Sequence, residues 1–283
     1  MKELRPTLIH IGLPKTATST IQHVLRNDDR INLIKNLYFN TPDYWCDDFT
    51  FCKKNKINIL SEENLIVQSA NRGKLFMTLS RMAKIAPDAI ILVTIREQKS
   101  MMLSRYKYNI PYWDGFTHSM ENWLKTGQGM DYLSMCMYGS LFKTINSFFP
   151  VNQIQFMHFE ALKDDYNVFF EELYDLIGIT VPDNINDKAK RNITRSDQEL
   201  LLIKKFNKFK IFRNGGYLSE EEARYIKRIA MKFSNKNNNH KIFNWGESDY
   251  FKKIEKDFLL ENKLAIELGV LKLEDLKKFG YLL

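Results

Sequence analysis

Short β-branched apolar runs, each giving way to an amphipathic helical stretch, restrict the fold of this chain more than any other feature. The strongest is 89–95 (AIILVTI); 7–13 (TLIHIGL), 57–60 (INIL) and 153–159 (QIQFMHF) have the same character. Runs this short, bounded by Gly, Pro and polar residues, read as strands. Gly12 and Pro14 end the first of them, and Ile21, Val24 and Leu25 then recur on one helical face. Helical patterns also cover about 74–85, 98–108 and 133–149. Strands alternating with helices imply parallel βαβ units, because a parallel pair needs a crossover connection. The expected fold class is therefore α/β, three-layered, with a central parallel sheet flanked by helices.

The last third changes character. Ser196–Glu199 and Ser219–Glu222 are capping-box patterns that open helices, 234–241 (SNKNNNHK) is a polar loop, and charged amphipathic helix follows. One domain over 1–283 is expected, with an α/β core at about 7–200 and a helical C-terminal extension at about 196–283.

Composition closes off several functional classes. The chain has 283 residues, 44% of them hydrophobic, enough for a sizeable core. Lys and Arg number 42 against 34 Asp and Glu, a balance that reads either as a Lys-rich solvated surface or as attraction to anionic ligands; the cations are scattered and no basic arm marks a nucleic-acid binder. No apolar stretch reaches the ~20 residues of a membrane span. Cys46, Cys52 and Cys136 have neither zinc spacing nor a disulfide framework, and Glu3, Arg5 and Pro6 do not fit a cleaved leader. A cytoplasmic protein is expected.

The segment after the first strand carries the chemistry. Gly12-Leu-Pro14-Lys15-Thr16-Ala17-Thr18-Ser19 places a tight turn, a cation and small hydroxyl residues where a helix begins. Backbone amides and a helix N-terminus converge there to hold an anion. A Ser/Thr-rich helix cap that binds nothing is the competing reading. The loop is not the nucleotide-triphosphate loop G-x-x-x-x-G-K-[ST], because Lys15 comes only three residues after Gly12.

The loop resembles the PK[ST]G[TS][TS] phosphosulfate loop of the sulfotransferases that use 3′-phosphoadenosine 5′-phosphosulfate (PAPS), with Ala17 where that family usually has Gly. A second stretch, Arg96 through Ser104 and Tyr106 after the run 89–95, resembles the family's 3′-phosphate motif R-x₇-S-x-Y. The resemblance extends over about 7–200. It implies a P-loop-NTPase-like fold, PAPS as donor, 3′-phosphoadenosine 5′-phosphate (PAP) as product and no metal. It further implies that Pro14, Lys15, Thr16, Ala17, Thr18 and Ser19 cradle the phosphosulfate and that Arg96 and Ser104 meet the 3′-phosphate. Phe159, ahead of Glu160-Ala-Leu-Lys163, falls at an aromatic position near the adenine, or is simply a core Phe. Arg191, in KAKRNITR, occupies the place of a basic loop that closes over the 3′-phosphate.

Sulfuryl transfer also needs a base for the acceptor hydroxyl. The stretch Ser61-Glu62-Glu63-Asn64-Leu65 resembles S-[SE]-E-N-L of bacterial members, which implies Glu63 as the base, with Glu62 the alternative and helix capping the structural one. An extended chain would turn these two carboxylates to opposite faces, so that only one could serve. His118, in GFTHSMENW, is a weaker competitor, and His10, inside the first apolar run, is expected to be packed. The overall pattern is similar to bacterial carbohydrate-type enzymes. The implied partners are a nucleotide donor and a hydroxyl acceptor, a glycan first, with a small-molecule kinase or an inactive nucleotide binder as rivals.

Overall fold

Five parallel strands form the one sheet among the described residues; numbered along the chain, they lie side by side in the order second, third, first, fourth, fifth. The computed structural model describes residues 4–34, 52–63, 65, 72–112, 116–183, 185, 195–211, 221, 225, 228–229 and 243–283. In chain order the elements are β1 (Leu8–Gly12), α1 (Thr18–Arg26), β2 (Ile31–Ile34), β3 (Ile57–Glu62), α2 (Arg72–Ile85) and β4 (Ile90–Ile95). Then follow α3 (Gln98–Tyr112), α4 (Met120–Leu124), α5 (Gly127–Met135), α6 (Tyr138–Asn146) and β5 (Ile154–His158). The remainder is α7 (Phe159–Asp164), α8 (Tyr166–Leu176), α9 (Asp197–Ile211), α10 (Asp249–Glu267) and α11 (Leu273–Lys278).

The chain divides into two compact units: one of Met1–Gln98, Asp131–Arg191 and Glu255–Leu283, the other of Lys99–Met130 and Asn192–Ile254. The first holds the sheet. On one face, Leu8, Ile59, Leu92 and Met157 pack with Ile21 and Leu25 of α1 and with Phe169, Phe170 and Leu173 of α8. On the other, Phe142 of α6 meets Phe156 of β5 at 6.3 Å between centroids. Both faces are thus covered by helices, giving the three-layer α/β fold. Each large side chain buried completely in this way contributes about 1.5–3 kcal/mol. The C-terminal helix α11 and the end of α10 group with the sheet.

The described elements of the second unit are helices, and Tyr106 lies among its buried aromatic residues. That ring packs against Phe116, Trp123 and Phe243 at 5.5, 5.8 and 5.9 Å. Its hydroxyl donates to the His118 carbonyl at 2.8 Å and accepts from Lys204 Nζ at 2.6 Å. Ser196 Oγ accepts the Glu199 amide at 3.2 Å at the start of α9, the capping expected there. The Ser219 capping pattern and the 234–241 loop lie outside the described residues.

Three expectations need correction. The pattern over 133–149 is two helices, α5 and α6, separated at Cys136 and Met137. The break lets Gly139 seat against α10, where a Cβ would come within 2.7 Å of Leu264 Cγ and 2.9 Å of the Glu261 carbonyl. The run expected as a strand to residue 159 stops at His158, and Phe159 opens α7. The strand expected over 57–60 continues through Ser61 to Glu62 because those residues stay in register with His10 and Ile11.

Candidate active site

All the first unit's candidate residues within the described chain stand at the C-terminal edge of the sheet. The Lys15 loop follows β1, Glu62 and Glu63 end β3, Arg96 follows β4 and Phe159 follows β5. Open parallel sheets bind ligands at this edge, near the point where strand order reverses, and here β1 has β3 on one side and β4 on the other.

The loop's shape follows from small residues at fixed points. A Cβ on Gly12 would lie 2.1 Å from Thr18 Oγ1, so only glycine lets α1 begin directly over the end of β1. Lys15 and Ala17 both have left-handed backbones, φ 69° and 65°. That conformation costs an L-residue about 1–2 kcal/mol, so Ala17 occupies a position that favours Gly. As the residue capping α1 it supplies no side-chain acceptor, and the first turn of α1 carries no acidic residue. The helix start is therefore suited to an external anion, which would take up the amides a Ser or Asp cap normally occupies. Pro14, Thr16 and Thr18 are buried, Lys15 and Ala17 half-buried and Ser19 exposed. Thr16 faces inward: its hydroxyl donates to the Leu13 carbonyl at 2.6 Å, so that proton holds the loop together.

Arg96 links the two motifs. Its Nη1 donates to the Lys15 carbonyl at 3.1 Å, and its guanidinium carbon lies 4.6 Å from the centroid of the Phe159 ring. Lys163 Nζ lies 4.7 Å from the same centroid. Arg96 Nε is buried with no hydrogen-bond partner. Burial holds the Arg96 guanidinium below its ordinary pKa, with Glu160 and Glu97 acting in the opposite sense. Lys163 is likewise held down, first by desolvation and then by the charge of Arg96. Two cations that disfavour each other beside one aromatic ring form a place where an anion is stabilising.

Residues with no motif signal support this junction. Tyr138 Oη donates to the Arg96 carbonyl and accepts the Arg96 amide. Glu160 accepts the Glu97 amide at 3.0 Å and the Tyr281 hydroxyl at 3.3 Å. Burial raises the Glu160 pKa, with the Glu97 amide bond opposing the rise. Tyr281 also lies 3.1 Å from His158 Nδ1. No motif in the sequence marks Tyr138, Glu160 or Tyr281 for this part.

The other expected residues are placed as follows. Glu62 is the last residue of β3 and buried, while Glu63 begins the turn and is half-buried. Ser104 lies on α3 in the second unit, half-buried, and His118 is exposed in the same unit. Arg191 lies outside the described residues. Among the described residues no helix is long and apolar enough to cross a membrane, and no group of three His, Cys, Asp or Glu could hold a metal ion.

No protein-family model matches the chain, and no curated protein matches it in sequence. The crystal structure of a sulfotransferase from Alicyclobacillus acidocaldarius matches with a TM-score of 0.53 at 18% identity, covering 67% of this chain and 87% of that one. The mouse sulfotransferase SULT7A1, solved in complex with PAP, matches with a TM-score of 0.42 at 13% identity, covering 94% and 89%. At its level of identity the bacterial likeness is one of architecture: this chain has the α/β fold of a sulfotransferase.

Proposed function

We propose that the protein transfers the sulfuryl group of PAPS to a hydroxyl acceptor, a carbohydrate hydroxyl in first place, in a bacterial cytoplasm. The observation that carries this reading is the bond from Arg96 to the Lys15 carbonyl. It joins two motifs 81 residues apart in the sequence at one sheet edge.

In this reading Pro14 to Ser19 wrap the phosphosulfate, Arg96 meets the 3′-phosphate and Phe159 stacks on the adenine. For Ser104 and Arg191 the 3′-phosphate role rests on the family motif alone. Glu63 removes the acceptor proton, the resulting oxygen attacks sulfur in line, and the P–O–S bridging oxygen departs on PAP. Lys15 stabilises the charge on that oxygen as it develops, and no step is assigned to a metal. Glu63 is favoured over Glu62 because it stands beyond the strand and is less buried. A sugar acceptor rests on the similarity of HIGLPKT and SEENL to bacterial carbohydrate-type enzymes.

The test is transfer from sulfur-labelled PAPS to a panel of oligosaccharides, glycolipids and phenols. Glu63→Gln is expected to lower the rate about 10²–10⁴-fold, the range for loss of a general base, and Glu62→Gln to retain most of it. The opposite order would move the base to Glu62. Transfer to no hydroxyl by the wild-type protein would overturn the reading.

A further inference from the structure

A directed chain of buried hydrogen bonds crosses the sheet beneath the loop. His10, Ser61 and Thr94 have no solvent exposure, and Thr16 is 1% exposed. Gln22 Nε2 on α1 donates to the Ser61 carbonyl at 3.0 Å and to Ser61 Oγ at 3.2 Å. Ser61 Oγ lies 2.8 Å from His10 Nδ1, and His10 Nε2 lies 3.2 Å from Thr94 Oγ1. Thr94 Oγ1 is 2.8 Å from Thr16 Oγ1, which donates to the Leu13 carbonyl at 2.6 Å.

Proton counting fixes every direction, because each hydroxyl has one proton to give. The Thr16 proton goes to Leu13, so Thr94 donates to Thr16. His10 Nε2 therefore donates to Thr94. The neutral imidazole has one N–H, so Nδ1 accepts the Ser61 proton. Complete burial keeps the ring neutral, its pKa lowered to about 3. Every link has one donor and one acceptor, a condition buried polar groups must meet.

We propose that His10, as the neutral Nε2–H tautomer, is the positioning residue of the donor loop. It fastens the entry limb (Leu13, Thr16) through Thr94 of β4 and the exit limb (Gln22) through Ser61 of β3. It touches neither donor nor acceptor. Ser61 directly precedes Glu62 and Glu63, so the same chain sets the loop's register against the strand end that carries the base. This rests on the sulfuryl-transfer reading.

The test compares adenosine 3′,5′-bisphosphate binding by calorimetry at 25 °C in the wild type, His10→Phe, Thr94→Val and Thr94→Ser, each checked for native circular dichroism. Thr94→Val keeps the side-chain shape and is expected to weaken Kd about tenfold; Thr94→Ser is expected to restore it to within about twofold, since the hydroxyl is what the chain needs. Should His10→Phe fail to fold, the Thr94 pair decides. Wild-type affinity in Thr94→Val, or equal weakening in Thr94→Ser, overturns the proposal. A wild-type protein that does not bind the bisphosphate overturns the sulfuryl-transfer reading and the loop's role together. Side-chain nitrogen NMR separates the two failures: a protonated Nε2 and bare Nδ1 on His10 at pH 7 upholds the chain without any nucleotide, and the opposite tautomer refutes it.

Discussion

Lys15→Ala is expected to lower sulfuryl transfer about 10²–10³-fold, the effect of removing one group that stabilises charge developing at an oxygen in a water-poor site. Geometry makes the change selective. The backbone carbonyl of Lys15, not its side chain, accepts the bond from Arg96, so truncation leaves the link between the motifs in place. Alanine can also adopt the left-handed backbone at this position, as Ala17 does two residues later. Loss of the ammonium should therefore appear in the rate far more than in the unfolding midpoint. A rate within threefold of wild type in a folded Lys15→Ala protein would remove Lys15 from the mechanism.

Stability is expected to fall by about 1–3 kcal/mol for each pH unit between pH 6 and 5. Burial lowers the pKa of His10 to about 3 and of His158 to about 4, from an ordinary value of 6.5. Below pH 6.5 the unfolded chain takes up a proton at each histidine that the folded chain refuses. The unfolded state thus binds more protons, and stability drops as pH falls toward the folded values. Two such sites give about 3 kcal/mol per unit at most. Glu160 acts in the opposite direction, since its raised pKa means that the folded form binds the extra proton. Urea denaturation at pH 7, 6 and 5 measures the slope. His158→Phe should make it shallower, because the ring sits among Phe279 and Tyr281 at 5.1 and 5.4 Å and Phe suits that setting. An unchanged urea midpoint from pH 7 to 5 would contradict the assignment.

Most of the sheet was legible because its strands are apolar and short. The run AIILVTI is β4 almost to the residue, for it is covered on both faces and carries no alternation. Strand β2 was not foreseen: INLI spans four residues at the sheet edge, with only Ile31 and Ile34 buried, too brief for a pattern to stand out. The loop was legible from residue types, and so was the question about Ala17. Its positive φ was not, since backbone strain leaves no mark in a single sequence.

His10 is the more instructive case. A histidine inside TLIHIGL reads as packed, and it is packed. Its partners, however, lie 51 and 84 residues away and are supplied by strand register, which periodicity does not encode. The same holds for Glu160, Tyr138 and Tyr281, which support Arg96 from three separate parts of the chain. The groups proposed to meet the ligand belong to short motifs; groups that hold those motifs in place are brought there by the fold.

In the proposed mechanism the Lys15 loop and Arg96 together form a site for a 3′-phosphorylated adenine nucleotide. Thermal unfolding of the wild-type protein with equal concentrations of adenosine 3′,5′-bisphosphate and of ATP–Mg²⁺ is the test, because at equal concentration the ligand with the lower Kd for the folded state stabilises it more. The bisphosphate is expected to raise the midpoint more than ATP–Mg²⁺ does. A larger rise with ATP–Mg²⁺, or none with the bisphosphate, would contradict it.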